Sequence, residues 1–421
     1  MLDPHYLIIL GVVLAGMICL LLRALSWPEA YWAISTSLVL LILGQVTPSQ
    51  AFVAVLQGYD VYLFLGGMML VAELARRTGV FDYVAVWALQ QARGSSFRLF
   101  CLVYAVGVVV TVFLSNDATA VVLTPAVVAA VRAARLQFSL PHLYACALVA
   151  NAASFVLPIS NPANLVVFGD QLPALSQWLA LFALPSLVAI VLTFYALLLH
   201  QRPALREVIH HVPEIQPLTP DGRRAVAVIA GFTITLIVSS ALGFALGLPS
   251  FIAGLLSLIL VYGDRYPAAK QAVIGVSWSV IPLVAGLFIM VQALENAGIT
   301  AKMSTLIALL QQAWPSASLW LAGMAAGLVS NVVNNLPAGL FAGAVMDQIH
   351  ASPAMQAAVL VGIDLGPNLS MSGSLATLLW LAALRREGMN VTGWQFLKMG
   401  MVTLPIPLAL TLGVIVAQGF R

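Results

Sequence analysis

The run Phe113-Leu-Ser-Asn-Asp-Ala-Thr119 places polar side chains inside a long hydrophobic segment. A similar run, Leu328-Val-Ser-Asn-Val-Val-Asn-Asn335, recurs in the second half of the chain, and a proline soon follows each run, at Pro125 and Pro337. Polar groups at membrane depth cost several kcal/mol unless they line a cavity or find partners. Related polar interruptions in two halves of a chain are typical of secondary transporters built from repeats. The two runs therefore predict a path for a polar solute across a membrane.

The composition indicates a membrane protein. The chain has 421 residues, of which 62% are hydrophobic and 8% charged, and its mean hydropathy is +1.02. Soluble domains carry about 25% charged residues. The net charge of +3 is too small to suggest a nucleic-acid partner. Cys19, Cys101 and Cys146 lie in apolar stretches without CxxC spacing, so we expect no disulfide framework, no zinc site and no cofactor.

The hydropathy pattern predicts an all-α polytopic membrane protein, because about 20 apolar residues cross a ~30 Å hydrocarbon core as a helix. Ten windows qualify: 6–23, 30–46, 59–77, 141–168, 175–200, 223–246, 249–264, 276–297, 353–384 and 395–419. Segments 97–133 and 317–350 each contain two apolar arms that meet at one of the polar runs. We interpret them as re-entrant hairpins, and the alternative is two ordinary spans joined by an external turn.

The basic residues orient this arrangement, because cytoplasmic loops are enriched in Lys and Arg. With the N-terminus outside, all of the Lys and Arg residues except Lys302 and Arg421 fall on the cytoplasmic side, Arg23 among them. An N-inside arrangement reverses that bias. We therefore predict an inner-membrane (plasma-membrane) protein with both termini outside.

The same threading divides the chain into two repeats. Residues 1–200 and 223–421 each contain five spans and one hairpin, and 201–222 form a polar cytoplasmic linker. An odd number of spans per half predicts that the halves are inverted, with the first hairpin opening to the cytoplasm and the second to the outside. The segments 67–79 and 286–298 resemble each other at an offset of 219 positions, which favours a duplication.

A second polar break follows each hairpin. Asn151-Ala-Ala-Ser154 and Leu157-Pro-Ile-Ser-Asn-Pro-Ala-Asn164 interrupt one span, and Asp364-Leu-Gly-Pro-Asn-Leu-Ser-Met-Ser-Gly-Ser374 interrupts another. Proline removes a backbone donor and clashes with a helical path, so free backbone groups and half-helix ends become available to a solute. Simple proline kinks are the alternative. We predict that the four breaks meet near the bilayer midplane and bind substrate through Ser115, Asn116, Thr119, Asn161, Asn164, Asn331, Asn334, Asn335, Ser372 and Ser374.

Asp117 and Asp364 are the carboxylates within these breaks and are candidates for proton coupling. The alternative for each is a permanently charged cap on a half-helix. The chain contains no G-x-S-x-G, H-E-x-x-H or phosphate-loop motif, so ATP hydrolysis by this chain is not expected. A transporter is favoured over a channel or an intramembrane aspartyl hydrolase.

These residues resemble the arsenical-pump membrane subunit, the arsenite and antimonite efflux family of the ion-transporter superfamily. The resemblance lies in 115–125, in Asn334-Asn-Leu-Pro337 and in 364–380, which ends Gly373-Ser-Leu-Ala-Thr-Leu-Leu-Trp380. It implies export of trivalent arsenite and antimonite against proton entry, in some relatives with a cytoplasmic ATPase subunit. Asn368 departs from the family, which often has lysine there, and Ser115 and Ala118 depart from an alanine–glycine pattern. A carboxylate or sodium/proton transporter of the same superfamily remains an alternative.

The residue chemistry suits arsenite, an uncharged trihydroxide near neutral pH. Asn and Ser side chains offer both donors and acceptors to three hydroxyl groups. The three cysteines lie on separate segments away from the breaks, so a thiolate cage is not expected.

Overall fold

The computed structural model describes residues 4–22 and 27–419, and it is built from helices throughout that range. Arg23 and Arg421, two of the charges used to orient the chain, lie outside the described residues. The helices of the first half are α1 (Pro4–Leu22), α2 (Glu29–Ile42), α3 (Pro48–Gln57), α4 (Tyr59–Arg77), α5 (Val80–Gln91), α6 (Ser96–Phe113), α7 (Asn116–Ala118), α8 (Thr124–Ala133), α9 (Leu140–Ala152), α10 (Pro162–Phe168) and α11 (Leu175–Gln201).

The second half presents a matching series of helices. They are α12 (Pro220–Ala241), α13 (Gly247–Tyr262), α14 (Tyr266–Gly275), α15 (Val280–Asn296), α16 (Ile299–Ala313), α17 (Pro315–Val333), α18 (Asn335–Gln348), α19 (Pro353–Leu365), α20 (Leu375–Arg386), α21 (Gly393–Thr403) and α22 (Pro405–Gln418). The order of long, short and interrupted helices follows that of the first half. Inversion of the halves across the membrane stays a prediction.

Within the described ranges, five helices are long and apolar enough to cross a membrane. They are Ser96–Phe113, Leu175–Gln201, Pro220–Ala241, Tyr266–Asn296, which takes α14 and α15 together, and Pro315–Val333. Two bent pairs, α3 with α4 at 47° and α21 with α22 at 43°, bring the number to seven if each pair is one span. The protein is therefore a multi-pass membrane protein. The count of ten spans with two re-entrant hairpins stays a prediction, because several predicted spans are divided into helices of fewer than 18 residues.

The two spans that carry the second polar breaks are interrupted at their prolines. Between α9 and α10 the chain forms a 3₁₀ turn at Pro158–Ser160, and between α19 and α20 it forms another at Gly366–Leu369. A proline in a helix interior removes a hydrogen bond and clashes with the preceding turn. The half-helices α10 and α20 are capped at their N-termini by Asn161 and Ser374, whose side chains accept hydrogen bonds from backbone N–H groups of the first turn.

Two short helices, α5 and α16, lie where the hydropathy windows predict no element. Each begins after a glycine in the left-handed region, Gly79 with φ 72° and Gly298 with φ 70°. These glycines are 219 positions apart, the offset already seen in the sequence. At about 1.5 Å per residue, helices of 12 and 15 residues are too short to span a bilayer, and this explains why the windows missed them.

The two halves pack against each other through glycines at equivalent positions. Gly67 of α4 faces the backbone of Ser250 on α13, and Gly286 of α15 faces the backbone of Ala33 on α2. A Cβ on either glycine would overlap the opposing backbone. Small residues allow such close helix approach in membranes, where packing and not a hydrophobic effect drives association.

The linker after α11 is fastened to the base of α6. Ser95 and Val208 form an isolated antiparallel bridge, and the Ile209 N–H donates to the Gly94 carbonyl at 2.8 Å. The carboxylate of Glu207 accepts hydrogen bonds from the backbone N–H groups of Gln137 (2.7 Å) and Phe138 (3.0 Å). The linker therefore ties together the two ends of the segment that contains the first polar run.

Candidate functional site

Asp364, at the end of α19, lies at the centre of the buried polar cluster. Its side chain is fully buried, with an exposed fraction of 0%. Oδ2 accepts a hydrogen bond from Ser154 Oγ at 2.6 Å, and Oδ1 accepts one from Asn161 Nδ2 at 2.8 Å. Both donors belong to the break in the first half, so Asp364 joins the two breaks directly.

Asn151, at the end of α9, makes the reciprocal contact. Ser374 Oγ donates to Asn151 Oδ1 at 3.0 Å, and Asn151 Nδ2 donates to Asn368 Oδ1 at 3.0 Å. Asn151 and Asp364 are 213 positions apart, and so are Asn161 and Ser374. In each half, then, the residue that caps the half-helix bonds to the helix-end residue of the other half.

The hydroxyl group of Ser154 lies within hydrogen-bonding distance of two acceptors. Ser154 Oγ lies 2.7 Å from the Asn151 carbonyl oxygen and 2.6 Å from Asp364 Oδ2. A serine hydroxyl has one hydrogen to donate, so it cannot serve both acceptors at once. A proton on Asp364 Oδ2 would complete the chain, with Asp364 donating to Ser154 and Ser154 donating to Asn151.

The second polar run forms hydrogen bonds with the second break, at 366–372. Ser370 Oγ donates to Asn331 Oδ1 at 2.6 Å, and Ser372 Oγ donates to the Asn331 carbonyl at 3.1 Å. Asn331 Nδ2 donates to the Gly366 carbonyl at 2.9 Å, and Asn334 Nδ2 donates to the Ser372 carbonyl at 3.1 Å. Asn334, with φ 77°, occupies the left-handed region that lets the chain reverse between α17 and α18.

The first polar run is arranged in a similar way. Ser115 Oγ accepts from the Ala118 N–H at 3.1 Å, and Thr111 and Thr119 share a hydrogen bond of 2.8 Å. Ser160 Oγ, from the first break, donates to the Val112 carbonyl at 3.0 Å. Val112 and Asn331 are 219 positions apart, so a break serine contacts an equivalent carbonyl in each half.

Asp117 differs from Asp364 in its surroundings. Its side chain is half-buried, and within the described part of the chain its carboxylate forms no hydrogen bond or ion pair. Its backbone N–H donates to Asn116 Oδ1 at 2.9 Å. Asp117 is therefore partly exposed and without a hydrogen-bond partner in the described structure, whereas Asp364 is buried and hydrogen-bonded.

Asn164 and Asn335, two of the predicted substrate-binding residues, each have a side-chain oxygen without a hydrogen-bond partner. Asn164 Nδ2 contacts the carbonyl oxygens of Ser154, Leu157 and Pro158, so it braces its own break. The Oδ1 atoms of Asn164 and Asn335 are buried without a hydrogen-bond partner. Unsatisfied buried acceptors cost roughly 1–3 kcal/mol each, so these two atoms keep hydrogen-bonding capacity that a bound solute could use.

The network includes residues that the predicted site omits. Asn151, Ser154, Asn368, Ser370 and Thr377 all contribute side chains to it. The first four lie within the quoted polar breaks, so their presence in a hydrophobic segment was the available signal. Asn151 and Asn368 could be paired only by knowing how the two halves meet.

A cavity of about 660 Å³ opens beside α10. Its walls come from α10 and α18 on one side and from α4 and α15 on the other, and it reaches Leu165, next to Asn164. Asp60, Glu295 and Asp347 are its charged lining residues, and none of the described lining residues is Lys or Arg. Among residues 4–22 and 27–419, no three His, Cys, Asp or Glu side chains are grouped as a metal site would require.

Comparison with known proteins identifies the family. The profile described as "Citrate transporter" matches residues 4–363. The "Arsenical pump membrane protein" of Yersinia enterocolitica is 27% identical over 356 residues, which are 80% of this chain and 82% of that protein. The protein of the same name from Escherichia coli is 28% identical over 358 residues, with the same coverage. The resemblance to the arsenical-pump membrane subunit is thus confirmed.

Further relatives agree on the class. An uncharacterized transporter of Mycobacterium tuberculosis is 26% identical over 369 residues, 84% of each chain. Among solved structures, the YdaH transporter of Alcanivorax borkumensis superposes with a TM-score of 0.57 over 88% of each chain, at 16% identity, and so shares the fold. The chain is a multi-pass membrane transporter that belongs to the citrate transporter family.

Proposed function

We propose that this transporter exports arsenite and antimonite from the cytoplasm in exchange for protons. The observation that carries the proposal is the chemistry of the joined breaks. Asn, Ser and Thr side chains surround one buried carboxylate, and among the described residues no Lys or Arg forms an ion pair with it. Such groups match an uncharged trihydroxide, which both donates and accepts hydrogen bonds.

The charge distribution favours this substrate over a carboxylate. Recognition of carboxylates commonly uses Arg or Lys, whose charge-assisted hydrogen bonds are about twice as strong as neutral ones. The adjoining cavity presents Asp60, Glu295 and Asp347, so it would repel an anion such as citrate. Citrate transport remains the second candidate, because the family profile carries that description.

Proton coupling follows from the two carboxylates. In this proposal Asp117 exchanges a proton with the access path, and Asp364 changes its hydrogen bonds to Ser154 when it gains or loses one. Since Ser154 lies in the first half and Asp364 in the second, the change reaches both halves. A proton gradient supplies the energy, so a separate cytoplasmic ATPase subunit, implied for some relatives by the resemblance, would be an addition and not a requirement.

The proposal includes the membrane arrangement. Two inverted repeats, 1–200 and 223–421, would form ten spans and two re-entrant hairpins in the inner membrane, with both termini outside. Substrate would bind where the hairpin tips meet the breaks, and Asn164 and Asn335 would offer their free acceptors. The hairpin-bearing portions would move against the remaining spans to alternate access.

The test is accumulation in cells that lack their own arsenic exporters. Expression of this chain should lower the accumulated arsenite and antimonite several-fold, at a protein level verified in membranes. Unchanged accumulation would contradict arsenite export. Uptake of labelled citrate by the same cells would establish the second candidate instead.

A further inference from the structure

Two pockets flank the start of α6. The charge pattern predicts that this end of the helix faces the cytoplasm. The first lies between α5 and α6 and is lined by Trp87, Gln91, Arg93, Arg98, Cys101 and Leu102. The second lies between α6 and α11 and is lined by Phe97, Leu198, Leu199, Arg202, Leu205 and Arg206. Each pocket therefore combines two arginines with an apolar wall.

The arginines of these pockets are uncompensated. Neither lining contains an acidic residue, and within the described residues the side chains of Arg93, Arg98, Arg202 and Arg206 form no ion pair. Other arginines at this end do find carboxylates, as Arg132 does with Glu387 and Arg265 with Asp221. Four unpaired guanidinium groups around one helix start form a strongly positive surface.

The pockets sit at the ends of two candidate membrane spans, where the length of the helices would place a lipid headgroup. The helices that form them, Ser96–Phe113 and Leu175–Gln201, are both long and apolar enough to span the membrane, and the pockets sit at their ends. Trp87 of the first pocket is 39% exposed and Leu199 of the second is 68% exposed, so an apolar surface adjoins each arginine pair. Guanidinium groups bind phosphate in a bidentate manner, and basic pockets between helices on the cytoplasmic side accept anionic lipid headgroups.

We propose that these two pockets bind the phosphate groups of anionic phospholipids, with the acyl chains lying along α6 and α11. The linker holds the pockets in place: Ser96 N–H donates to the Glu207 carbonyl at 3.4 Å and Ile209 N–H to the Gly94 carbonyl. A bound lipid thereby braces the base of the segment that carries the first polar run. The site is independent of the transported substrate.

Trp87 supplies a direct probe of the first pocket. The emission of Trp87 is the difference in fluorescence between the wild type and Trp87→Phe. Brominated phosphatidylglycerol, added to the purified full chain in detergent, should quench this emission with an apparent affinity at least about tenfold higher than that of brominated phosphatidylcholine. In the Trp87→Phe background, Phe97→Trp reports on the second pocket in the same way. The double variant Arg93→Gln/Arg98→Gln should lose the preference for phosphatidylglycerol in the first pocket. The double variant Arg202→Gln/Arg206→Gln should lose it in the second.

Matched variants control for charge and folding. Arg223→Gln/Arg224→Gln removes two exposed arginines from the start of α12, outside both pockets, and should keep the preference. Arg93→Lys/Arg98→Lys keeps the positive charge and should keep most of the preference for phosphatidylglycerol. This variant tests the pocket even if the corresponding Gln double variant folds poorly. Equal quenching by the two lipids would overturn the proposal. So would complete displacement of the lipid by millimolar inorganic phosphate, since the site would then serve a free anion.

Discussion

Asp364 and Asn151 occupy equivalent places in the two halves, yet only Asp364 can carry a charge. The reciprocal contacts Asn161–Asp364 and Ser374–Asn151 are otherwise alike in type and length. An ion pair is absent from this part of the described structure, so neutral donors alone stabilise the carboxylate. The asymmetry gives a pseudo-symmetric site a single titratable group at its centre.

Replacing Asp364 by Asn should mimic the protonated state. Oδ1 of the new side chain can still accept from Asn161, while its Nδ2 donates to Ser154, which then donates to the Asn151 carbonyl. We expect the free energy of unfolding of Asp364→Asn to lie within about 1 kcal/mol of the wild type, because no buried group loses its partner. Transport by this variant should lose its dependence on a pH gradient.

Asp364→Ala is the contrasting variant. It leaves Asn161 Nδ2 and one contact of Ser154 unmatched, at a cost of about 2–4 kcal/mol. Chemical or thermal unfolding of the purified proteins measures both changes. Equal destabilisation by Asn and Ala would show that the ionised carboxylate, and not the shape of the network, stabilises the site.

Asp117→Asn should separate coupling from binding. The Asp117 carboxylate is half-buried and, in the described structure, unpartnered, so the substitution removes a titratable group with little effect on folding. We expect proton-driven net transport to disappear while arsenite binding stays within about tenfold, or 1.4 kcal/mol. Asp264→Asn, at an exposed turn, is the matched control. Proton-driven transport at the wild-type rate in Asp117→Asn would assign Asp117 a structural role.

Among the elements, α17 and α19 make a close backbone approach beside the site. Gly323 and Gly327 face Gly362 and Gly366, and a Cβ on Gly362 would overlap the Gly323 carbonyl oxygen. This contact positions Asp364, two residues after Gly362, beside the arm that carries Asn331. Backbone packing on α17 is thus coupled to the geometry of the polar network.

Gly362→Ala should therefore destabilise the protein and weaken transport. Overpacking commonly costs about 1–3 kcal/mol, and an opposing backbone has less room to relax than a side chain. Gly231→Ala, in α12, is the control, because no atom lies within 4 Å of the position that its Cβ would take; there alanine should stabilise the helix by about 0.5–1 kcal/mol. Similar unfolding temperatures for the two variants would contradict the proposed close packing.

The elements also show which features sequence can predict. The polar runs and central prolines were informative because polar groups and missing N–H donors are costly at membrane depth, and the breaks at 158–160 and 366–369 followed. The helices α5 and α16 were missed because a hydropathy window tuned to a bilayer does not register short helices. The pairing of Asn151 with Asn368 and Ser374 depends on contacts between distant segments, which periodicity along one chain does not encode.

For the whole molecule, the charge pattern and the repeated helix order predict opposite sidedness of the two hairpins. In a variant without Cys19, Cys101 and Cys146, a cysteine at Gln137 should react with a membrane-impermeant maleimide only from the cytoplasmic side. Ser316→Cys, at the base of the second polar arm, should react only from the outside. Both positions are exposed, so access to the residue itself is not limiting.

Two further cysteines calibrate that experiment. Glu214→Cys lies in the linker and should label from the cytoplasm, whereas Ser49→Cys, in the first turn of α3, should label from outside. Labelling of Gln137→Cys and Ser316→Cys from the same side would contradict inversion of the two halves.

Proton-driven export through the joined breaks can be measured in everted membrane vesicles. With the lumen acidified, vesicles that contain the wild-type chain should accumulate arsenite, a protonophore should abolish the accumulation, and Asp364→Asn vesicles should show none that responds to the gradient. Failure of correctly inserted wild-type protein to move arsenite, together with gradient-driven movement of citrate, would contradict arsenite export by this transporter.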